Sequence, residues 1–406
     1  MATYNLDQTD LKAALTPSID PAIQQQIIDY LINAGVGYTN PDDGTAIPVQ
    51  TGGAIGTPDP SANVLIEVNP NNTVTTDANL KAIIADTSSD VTLTVNGSTP
   101  VLVATGNGDN QIYINNTGDT TVLTGSGDDT IYGGSGSDSI SSGAGSDVLI
   151  DTVSGTSTLD GGAGNDQLFG FGADTLFGGA GEDTLYGGVD SELHGGQNSD
   201  VLISGSTAGH ANTLFGDSGS DSLYAGAGAD TLFGGTGEDL LVGGAATAEL
   251  HGGGDDDILY SQSDASHGTA LYGDSGDDSL YGGAGNDTLY GGTGHDTLVA
   301  GSGSDTLIGG SDGSSFVGSS TGTSSMVGGS GQDYFYLSNS HSSDTIDGGA
   351  GNLDSVTFQD HASTDVSDIT VGSTTGSLDI HFSNGQVTQV SNIEYLVFND
   401  GNSTKL

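Results

Sequence analysis

Residues 161–169 read GGAGNDQLF, residues 178–186 read GGAGEDTLY, residues 234–242 read GGTGEDLLV and residues 282–290 read GGAGNDTLY. They share one nine-residue frame, Gly-Gly-x-Gly-x-Asp-x-(Leu or Ile)-x, which copies such as GSGDDTIYG and GGSGSDSIS extend along the chain. Glycines permit a tight turn with positive φ, the Asp places a carboxylate inside that turn, and the last three residues predict a short strand with one inward side chain. The repeat therefore predicts a solenoid in which two units form one coil.

The composition excludes several classes of protein. The 406 residues include 53 Asp and Glu but only three Lys and no Arg, so a formal charge of −50 would repel nucleic acid phosphates. The absence of Cys removes disulfides and thiolate metal sites. A chain this acidic is expected to stay unfolded unless divalent cations with oxygen ligands neutralise it.

The frame resembles the RTX (repeats-in-toxin) family of nonapeptide calcium-binding repeats, and the resemblance covers roughly residues 106–358. More than a dozen copies keep Asp at the sixth place and Leu or Ile at the eighth. The resemblance implies an all-β parallel β-roll. In such a roll Ca²⁺ is held between stacked turns by paired Asp carboxylates and by carbonyls of the glycine region.

Five segments follow from this interpretation. Residues 1–36 are expected to form two short helices, residues 37–62 a linker, and residues 63–105 a calcium-free strand region that starts the roll. Residues 106–358 form the β-roll proper, and residues 359–406 a β-rich C-terminal cap with a secretion signal region.

The helical segment has one apolar face. Asp20 and Pro21 suit the N-cap and first helical positions, and Ile23, Ile27 and Leu31 recur every four residues. Two roles stay open for this face, a cap on the end of the solenoid or a docking and anchoring element.

Successive turns of a β-roll alternate between two edges, so the sixth-place Asp residues can be sorted by the parity of their turn. One edge, called the ladder edge, collects Asp129, Asp147, Asp166, Asp183, Asp200, Asp221, Asp239, Asp257, Asp278 and Asp296 without a break. The other, called the interrupted edge, collects Asp138, Asp174, Asp230, Asp287 and Asp305, separated by turns without a sixth-place Asp.

The predicted calcium ligands are all of the ladder-edge residues together with Asp138, Asp287, Asp305, Asp333 and Asp354. Asp174 and Asp230 have no Asp neighbour on their edge and are expected to form empty or weak sites. The interrupted edge is also expected to expose His194, His210, His251 and His267. Solvated loops, an interaction surface and a transition-metal site are the alternatives for these histidines.

The C-terminal tail, residues 377–401, alternates apolar and polar residues like hairpin strands with a turn at Asn384 and Gly385. It also resembles the C-terminal region of RTX proteins that are exported by type I secretion. The N-terminus lacks the pattern of a cleaved signal peptide, which fits that route. Low cytosolic calcium would then keep the chain unfolded for export, and external calcium would fold it.

No catalytic motif stands out in the sequence. A His-Glu-x-x-His motif is absent, and the two G-x-S-x-G matches, at residues 309–313 and 318–322, are attributed to chance in a Gly/Ser-rich repeat. No stretch is apolar enough to span a membrane. We therefore expect no enzyme.

The sequence favours a calcium-dependent structural protein at the surface of, or outside, a Gram-negative bacterium. It would self-assemble as a homo-oligomer or lattice in a surface layer or matrix. The alternatives are a secreted adhesin or binding module for a cell-surface polysaccharide or ice, and an enzyme whose active site is not visible.

Overall fold

Each repeat contributes a short strand that pairs in parallel with the equivalent strand one coil away. Thr175, Leu176 and Phe177, for example, lie opposite Glu192, Leu193 and His194. The structure is a computed structural model, and it describes residues 2–6, 13, 15, 19–34, 47–51, 62–67, 71–85, 87–152, 155–338 and 343–406. The chain forms two compact units, Met1–Asp200 and Val201–Leu406, and each is an all-β parallel solenoid with two sheets, A and B.

In the N-terminal unit, helix α1 spans Pro21–Asn33. The unit's sheet A consists of β1 (Ala2–Leu6), β2 (Ile47–Thr51), β3 (Val64–Glu67), β5 (Ala82–Ala85), β7 (Val101–Thr105), β9 (Thr120–Leu123), β11 (Ser139–Ser141), β13 (Thr158–Ala163), β15 (Thr175–Ala180) and β17 (Glu192–Gln197). Its sheet B consists of β4 (Asn71–Thr75), β6 (Thr92–Gly97), β8 (Gln111–Asn116), β10 (Thr130–Tyr132), β12 (Val148–Ile150), β14 (Gln167–Phe169) and β16 (Thr184–Gly187).

The C-terminal unit continues the same alternation and ends in antiparallel strands. Its sheet A consists of β19 (Thr213–Ser218), β21 (Thr231–Thr236), β23 (Glu249–Gly254), β25 (Ala270–Ser275), β27 (Thr288–Thr293), β29 (Asp305–Gly310), β31 (Ser324–Gly329), β33 (Thr345–Gly349), β35 (Val366–Val371), β36 (Leu378–Phe382) and β37 (Val387–Ser391). Its sheet B consists of β18 (Val201–Ser204), β20 (Ser222–Tyr224), β22 (Leu240–Val242), β24 (Ile258–Tyr260), β26 (Ser279–Tyr281), β28 (Thr297–Val299), β30 (Ser315–Val317), β32 (Tyr334–Leu337), β34 (Ser355–Phe358), β38 (Tyr395–Phe398) and β39 (Ser403–Lys405). A single 3₁₀ turn, Ser363–Asp365, precedes β35.

The core of each unit is a column of inward side chains, one from each short strand. Leu168, Leu176 and Leu185 in the N-terminal unit, and Leu232 and Leu241 in the C-terminal unit, are fully buried. Burial of each such side chain contributes about 1.5–3 kcal/mol. A narrow core of this kind explains how a chain with few apolar residues can fold.

Helix α1 covers the outer face of sheet A at the start of the N-terminal unit. Ile27 and Leu31 are buried in a cluster with Ile66, Ile84 and Ala104 of the first coils. The helix begins as predicted, because Asp20 Oδ1 accepts a hydrogen bond from the Ala22 N–H at 2.7 Å. Of the two open roles, the contacts fit a structural one, in which the apolar face packs on the chain's own sheet.

Two predictions for the N-terminal region were wrong in part. Residues 2–6 form strand β1 rather than helix, and it pairs antiparallel with β2, which lies inside the predicted linker. Residues 63–105 contain strands, as expected, and β4 is one of them. The boundaries of the five predicted segments stay predictions.

The tail is both a hairpin and a continuation of the roll. β36 and β37 pair antiparallel across the turn at Asn384 and Gly385, as predicted. β37 also pairs in parallel with β33, and β38 pairs in parallel with β34, so the chain after residue 386 completes one more coil.

Candidate metal centres

The sixth-place Asp residues form a hydrogen-bonded row on the ladder edge. The Asp166 N–H donates to Asp183 Oδ1 at 2.8 Å in the N-terminal unit. The Asp239 N–H donates to Asp257 Oδ1, and the Asp257 N–H to Asp278 Oδ1, each at 2.8 Å, in the C-terminal unit. Each of these carboxylates therefore ties its own turn to the turn one coil earlier.

In eight ladder-edge Asp residues, in Asp287 and Asp305 of the interrupted edge, and in Asp333 and Asp354, the second oxygen, Oδ2, is buried but unpaired among the described residues. It accepts no hydrogen bond from any described residue in Asp129, Asp147, Asp166, Asp183, Asp239, Asp257, Asp278, Asp287, Asp296, Asp305, Asp333 and Asp354. The oxygen faces the first glycine of its own turn, since a Cβ built on Gly161 or Gly234 would clash with Oδ2 of Asp166 or Asp239. A buried carboxylate oxygen needs a donor or a cation, so these positions fit a bound metal.

The glycine turn places backbone carbonyls near these oxygens, since a Cβ built on Gly234 would clash both with Asp239 Oδ2 and with the Gly252 carbonyl oxygen. Gly179, at the second place of its turn, has φ of 109°, and a Cβ on it would clash with the carbonyl oxygen of Gly162 one coil earlier. Where the frame departs from glycine, residues that tolerate this conformation replace it, as in Asn198 (φ 77°) and Asp217 (φ 71°). Carboxylate and carbonyl oxygens together are the ligand set that Ca²⁺ prefers.

Burial makes these carboxylates costly to ionise when no cation is bound. Burial, with repulsion from Asp239 and Asp278, raises the pKa of Asp257 to about 8. Burial raises the pKa of Asp166 and of Asp278 to about 7, and neighbouring carboxylates add to the rise. At neutral pH the row therefore requires either bound protons or bound cations.

Asp138, Asp174 and Asp230 of the interrupted edge differ from Asp287 and Asp305 of the same edge, because their Oδ2 atoms accept hydrogen bonds. Asp138 Oδ2 accepts from the Gly134 N–H at 2.8 Å, and Asp174 Oδ2 accepts from the Gly172 N–H at 2.9 Å. Asp230 Oδ2 accepts from the Ser206 hydroxyl at 2.8 Å and from a backbone N–H of its own turn. In these three residues, hydrogen bonds within the protein thus occupy Oδ2, the oxygen that would otherwise be left for a metal. This fits the expectation of weak sites at Asp174 and Asp230. Asp138 was predicted as a ligand, but its Oδ2 differs in this way from that of the other predicted ligands.

In the turn before Asp129, at the start of the ladder edge, an asparagine amide takes the place of the aspartate carboxylate. Asn110 Nδ2 donates to the Gly108 carbonyl oxygen and to Asp129 Oδ1, each at 2.8 Å, and to the Gly106 carbonyl oxygen at 3.3 Å. The amide hydrogens therefore lie among the same kinds of oxygen that a cation would contact between two later turns.

Two acidic residues at equivalent places were missed by the sequence interpretation. Asp344 precedes β33, and its buried Oδ1 accepts from the Ser324 N–H at 2.7 Å. Glu394 precedes β38, and its Oε2 accepts from the Asp354 N–H at 2.8 Å. Neither follows a Gly-Gly-x-Gly stretch. The signal that could have found them is the apolar second residue of the strand that each precedes, Ile346 and Leu396.

Two of the four histidines lie in loops and two lie in strands. His210 and His267 lie on exposed loops of the interrupted edge, as predicted. His194 and His251 lie instead in β17 and β23, where His194 stacks on Phe177 and His251 stacks between two aromatic rings. The prediction that the interrupted edge exposes these two histidines was therefore wrong, because Glu-Leu-His continues the x-Leu-x strand pattern.

The described residues limit the kinds of functional site that this chain can form. No three His, Asp or Glu side chains among them come together as metal ligands, so a cation here would also need backbone carbonyls. Neither G-x-S-x-G segment is followed by a helix in the described part of the chain. Within the same described ranges, no helix is long and apolar enough to cross a membrane.

A parallel β-roll with buried carboxylates stacked along glycine turns defines a class of calcium-binding solenoids. The RTX calcium-binding nonapeptide repeat matches residues 114–149, 151–185, 170–191, 206–241, 272–307 and 290–313. The repeat region belongs to this family, and its repeats bind several calcium ions. A comparison with curated proteins gave no match. RTX repeat proteins are typically secreted, and the RTX β-roll itself is a non-catalytic repeat domain.

Proposed function

We propose that this protein is an extracellular structural protein whose roll folds on binding calcium and which then self-assembles as a surface layer or matrix component. The row of buried, unpaired Oδ2 atoms carries the calcium half of the proposal. Its proposed ligands are those twelve Asp residues together with Asp200 and Asp221, which occupy the same place in the frame. Backbone carbonyls of the glycine turns supply the other oxygens.

Charge supports the same proposal. About ten to fifteen Ca²⁺ ions along the row would neutralise roughly half of the formal charge of −50. Without them, the stacked carboxylates repel one another inside the protein. A chain whose carboxylates repel one another until calcium neutralises them can be exported unfolded from a calcium-poor cytosol. It then folds in a calcium-rich exterior at the surface of a Gram-negative bacterium.

The outer faces of the sheets support self-assembly. Residues on either side of each inward Leu point outward, and on sheet B of the C-terminal unit they include large apolar side chains. Tyr224, Ile258 and Tyr260 are 37%, 42% and 39% exposed. Groups of exposed apolar side chains favour protein contacts. The apolar face of α1 is covered by the chain's own sheet, so we place the assembly contacts on these faces rather than on the helix.

One observation favours the alternative, an adhesin-like module for a polysaccharide. A groove of about 430 Å³ lies beside the loops of His210 and His267, with Ala227, Ala229 and Ala245 among its lining residues.

The stacked aromatic rings of sheet A do not offer a free ring face on which a sugar could stack. Phe215, Phe233, His251, Tyr272 and Tyr290 lie parallel at 4.5–5.1 Å between centroids, so they cover one another's faces and present their edges.

Electron microscopy of the purified protein tests self-assembly. With calcium we expect ordered sheets or fibres, and with chelator none. The double variant Ile258→Thr/Tyr260→Thr should abolish the assemblies while calcium-induced β-structure remains, and Thr297→Ser on the same sheet should leave them intact. Monodisperse wild-type monomers in calcium would contradict self-assembly and favour the ligand-binding alternative.

A further inference from the structure

The last coil of the roll is made by the tail. Tyr395 lies opposite Ser355 and Leu396 opposite Val356 in the parallel pairing of β38 with β34. Glu394 immediately precedes β38 just as Asp354 precedes β34. The residue at the sixth place of the last coil is therefore a glutamate, although the chain between the two strands makes a detour through the antiparallel hairpin.

Glu394 makes the hydrogen bond that a ladder aspartate makes. The Asp354 N–H donates to Glu394 Oε2 at 2.8 Å, and the Leu353 N–H donates to the same oxygen at 3.0 Å. One coil earlier, the Asp333 N–H donates to Asp354 Oδ1 at 2.9 Å. The glutamate thus continues the row with a side chain that is one methylene longer.

Asp354 leaves a buried oxygen toward this coil. The residue is 0% exposed, and its Oδ2 has no hydrogen-bond partner within the described ranges. A Cβ on Gly348 would lie 2.9 Å from Oδ2, and a Cβ on Gly351 would lie 2.8 Å from it. The carbonyl oxygen of Asn392, in the last coil, adjoins Gly348 on the same side. Because Gly348 and Gly351 have no side chain, a small space remains there, and oxygens from both coils line it.

We infer that Asp354 and Glu394 form a calcium site that fastens the C-terminal cap, residues 359–406, to the roll. This inference rests on the proposed binding of calcium along the ladder edge, and it adds a ligand that lies outside the nonapeptide repeats. With calcium bound, the two carboxylates are bridged, and the last coil is held in register. Without calcium, they repel each other across the junction, and the last coil loosens.

The full-length variant Glu394→Gln tests the site. Its amide oxygen can still accept both N–H groups, while the charge needed for calcium is removed. We expect the variant to bind about one calcium ion fewer per chain in equilibrium dialysis. Hydrogen exchange should show that protection of residues 387–398 requires severalfold more calcium than in the wild type. Asp354→Asn should cause the same two changes.

Glu238→Gln is the matched control, because Glu238 is exposed at the fifth place of its turn and loses the same charge. If Glu394→Gln and Glu238→Gln bind as much calcium as the wild type and protect residues 387–398 equally, the proposed site at Asp354 and Glu394 is wrong. The proposed calcium binding along the ladder edge would not be affected by that result. Loss of protection in Glu394→Gln at every calcium concentration, with the calcium stoichiometry unchanged, would show that the charge of Glu394 holds the last coil without calcium and would also overturn the site. A wild-type protein that binds no calcium would overturn the proposed function itself.

Discussion

Asp257 and Asp174 occupy the same place in the repeat and differ in what their second oxygen contacts. Asp257 Oδ2 is unpaired among the described residues, whereas Asp174 Oδ2 accepts the Gly172 N–H. We predict that Asp257→Asn raises the calcium midpoint of folding, because it replaces a metal ligand by an amide. Asp174→Asn should leave the metal dependence unchanged and cost about 1–3 kcal/mol of stability, because a buried N–H loses its acceptor.

Calcium titrations followed by circular dichroism, with denaturant unfolding at saturating calcium, separate the two effects. Equal shifts of the calcium midpoint for both variants would show that the unpaired oxygen does not mark the calcium ligands.

Asn110 allows the opposite experiment, in which a calcium ligand is added rather than removed. Its amide donates to the Gly106 and Gly108 carbonyl oxygens, where a later turn presents only acceptors. Asn110→Asp should remove these donors and add a carboxylate, so we predict about one additional bound calcium ion per chain. The exposed Asn115→Asp is the control for the added charge. Equal calcium stoichiometry in the two variants and the wild type would contradict the interpretation.

At the scale of elements, helix α1 belongs to the solenoid. Leu31 is fully buried in the cluster on the outer face of sheet A. We predict that Leu31→Ala destabilises the calcium-loaded protein by about 2–5 kcal/mol, because the cavity is enclosed by side chains of the first coils. Gln26→Ala, on the exposed face of the helix, should change stability by less than about 0.5 kcal/mol. Denaturant unfolding measures both, and equal stabilities would mean that the helix is not packed on the roll.

The sequence predicted the parts of the fold that the repeat itself encodes. Every predicted ladder-edge Asp precedes a strand of sheet B, and every predicted interrupted-edge Asp precedes or begins a strand of sheet A. This worked because one frame fixes the turn, the carboxylate and the inward residue together. The two edges could therefore be separated by counting turns alone.

Long-range packing was not predictable in the same way. The pattern of Ile27 and Leu31 indicates a buried face but not the sheet that buries it. Alternation in the tail indicates strands, yet it is the same for the antiparallel hairpin and for the parallel coil that contains Glu394. The difference between Asp138 and Asp147 depends on whether a backbone N–H reaches Oδ2, which the frame does not specify.

At the scale of the whole molecule, the buried carboxylates give calcium-free protein an unusual pH dependence. Burial raises the pKa of Asp166, Asp257 and Asp278 to about 7, 8 and 7, above the ordinary value near 4 of an unfolded chain. Between about pH 4 and pH 8 the folded chain therefore binds more protons than the unfolded chain. Its stability falls as pH rises through this window.

We accordingly predict that chelated protein gains β-structure when the pH is lowered from about 8 to about 5, and that the calcium midpoint rises over the same range because protons compete for the ligands. Circular dichroism in high salt, which screens repulsion between exposed charges, isolates the contribution of the buried row. A calcium-free fold that becomes more stable as pH rises would be the opposite of this expectation.

The most direct test of the central claim is circular dichroism of the full chain at neutral pH during a calcium titration that starts from chelator. If the unpaired carboxylate oxygens are calcium ligands, the chelated roll should be largely disordered and should gain β signal cooperatively as calcium is added. Magnesium, which demands near-octahedral geometry and dehydrates reluctantly, should substitute poorly. Full β content in chelator, unchanged by calcium, would contradict the account.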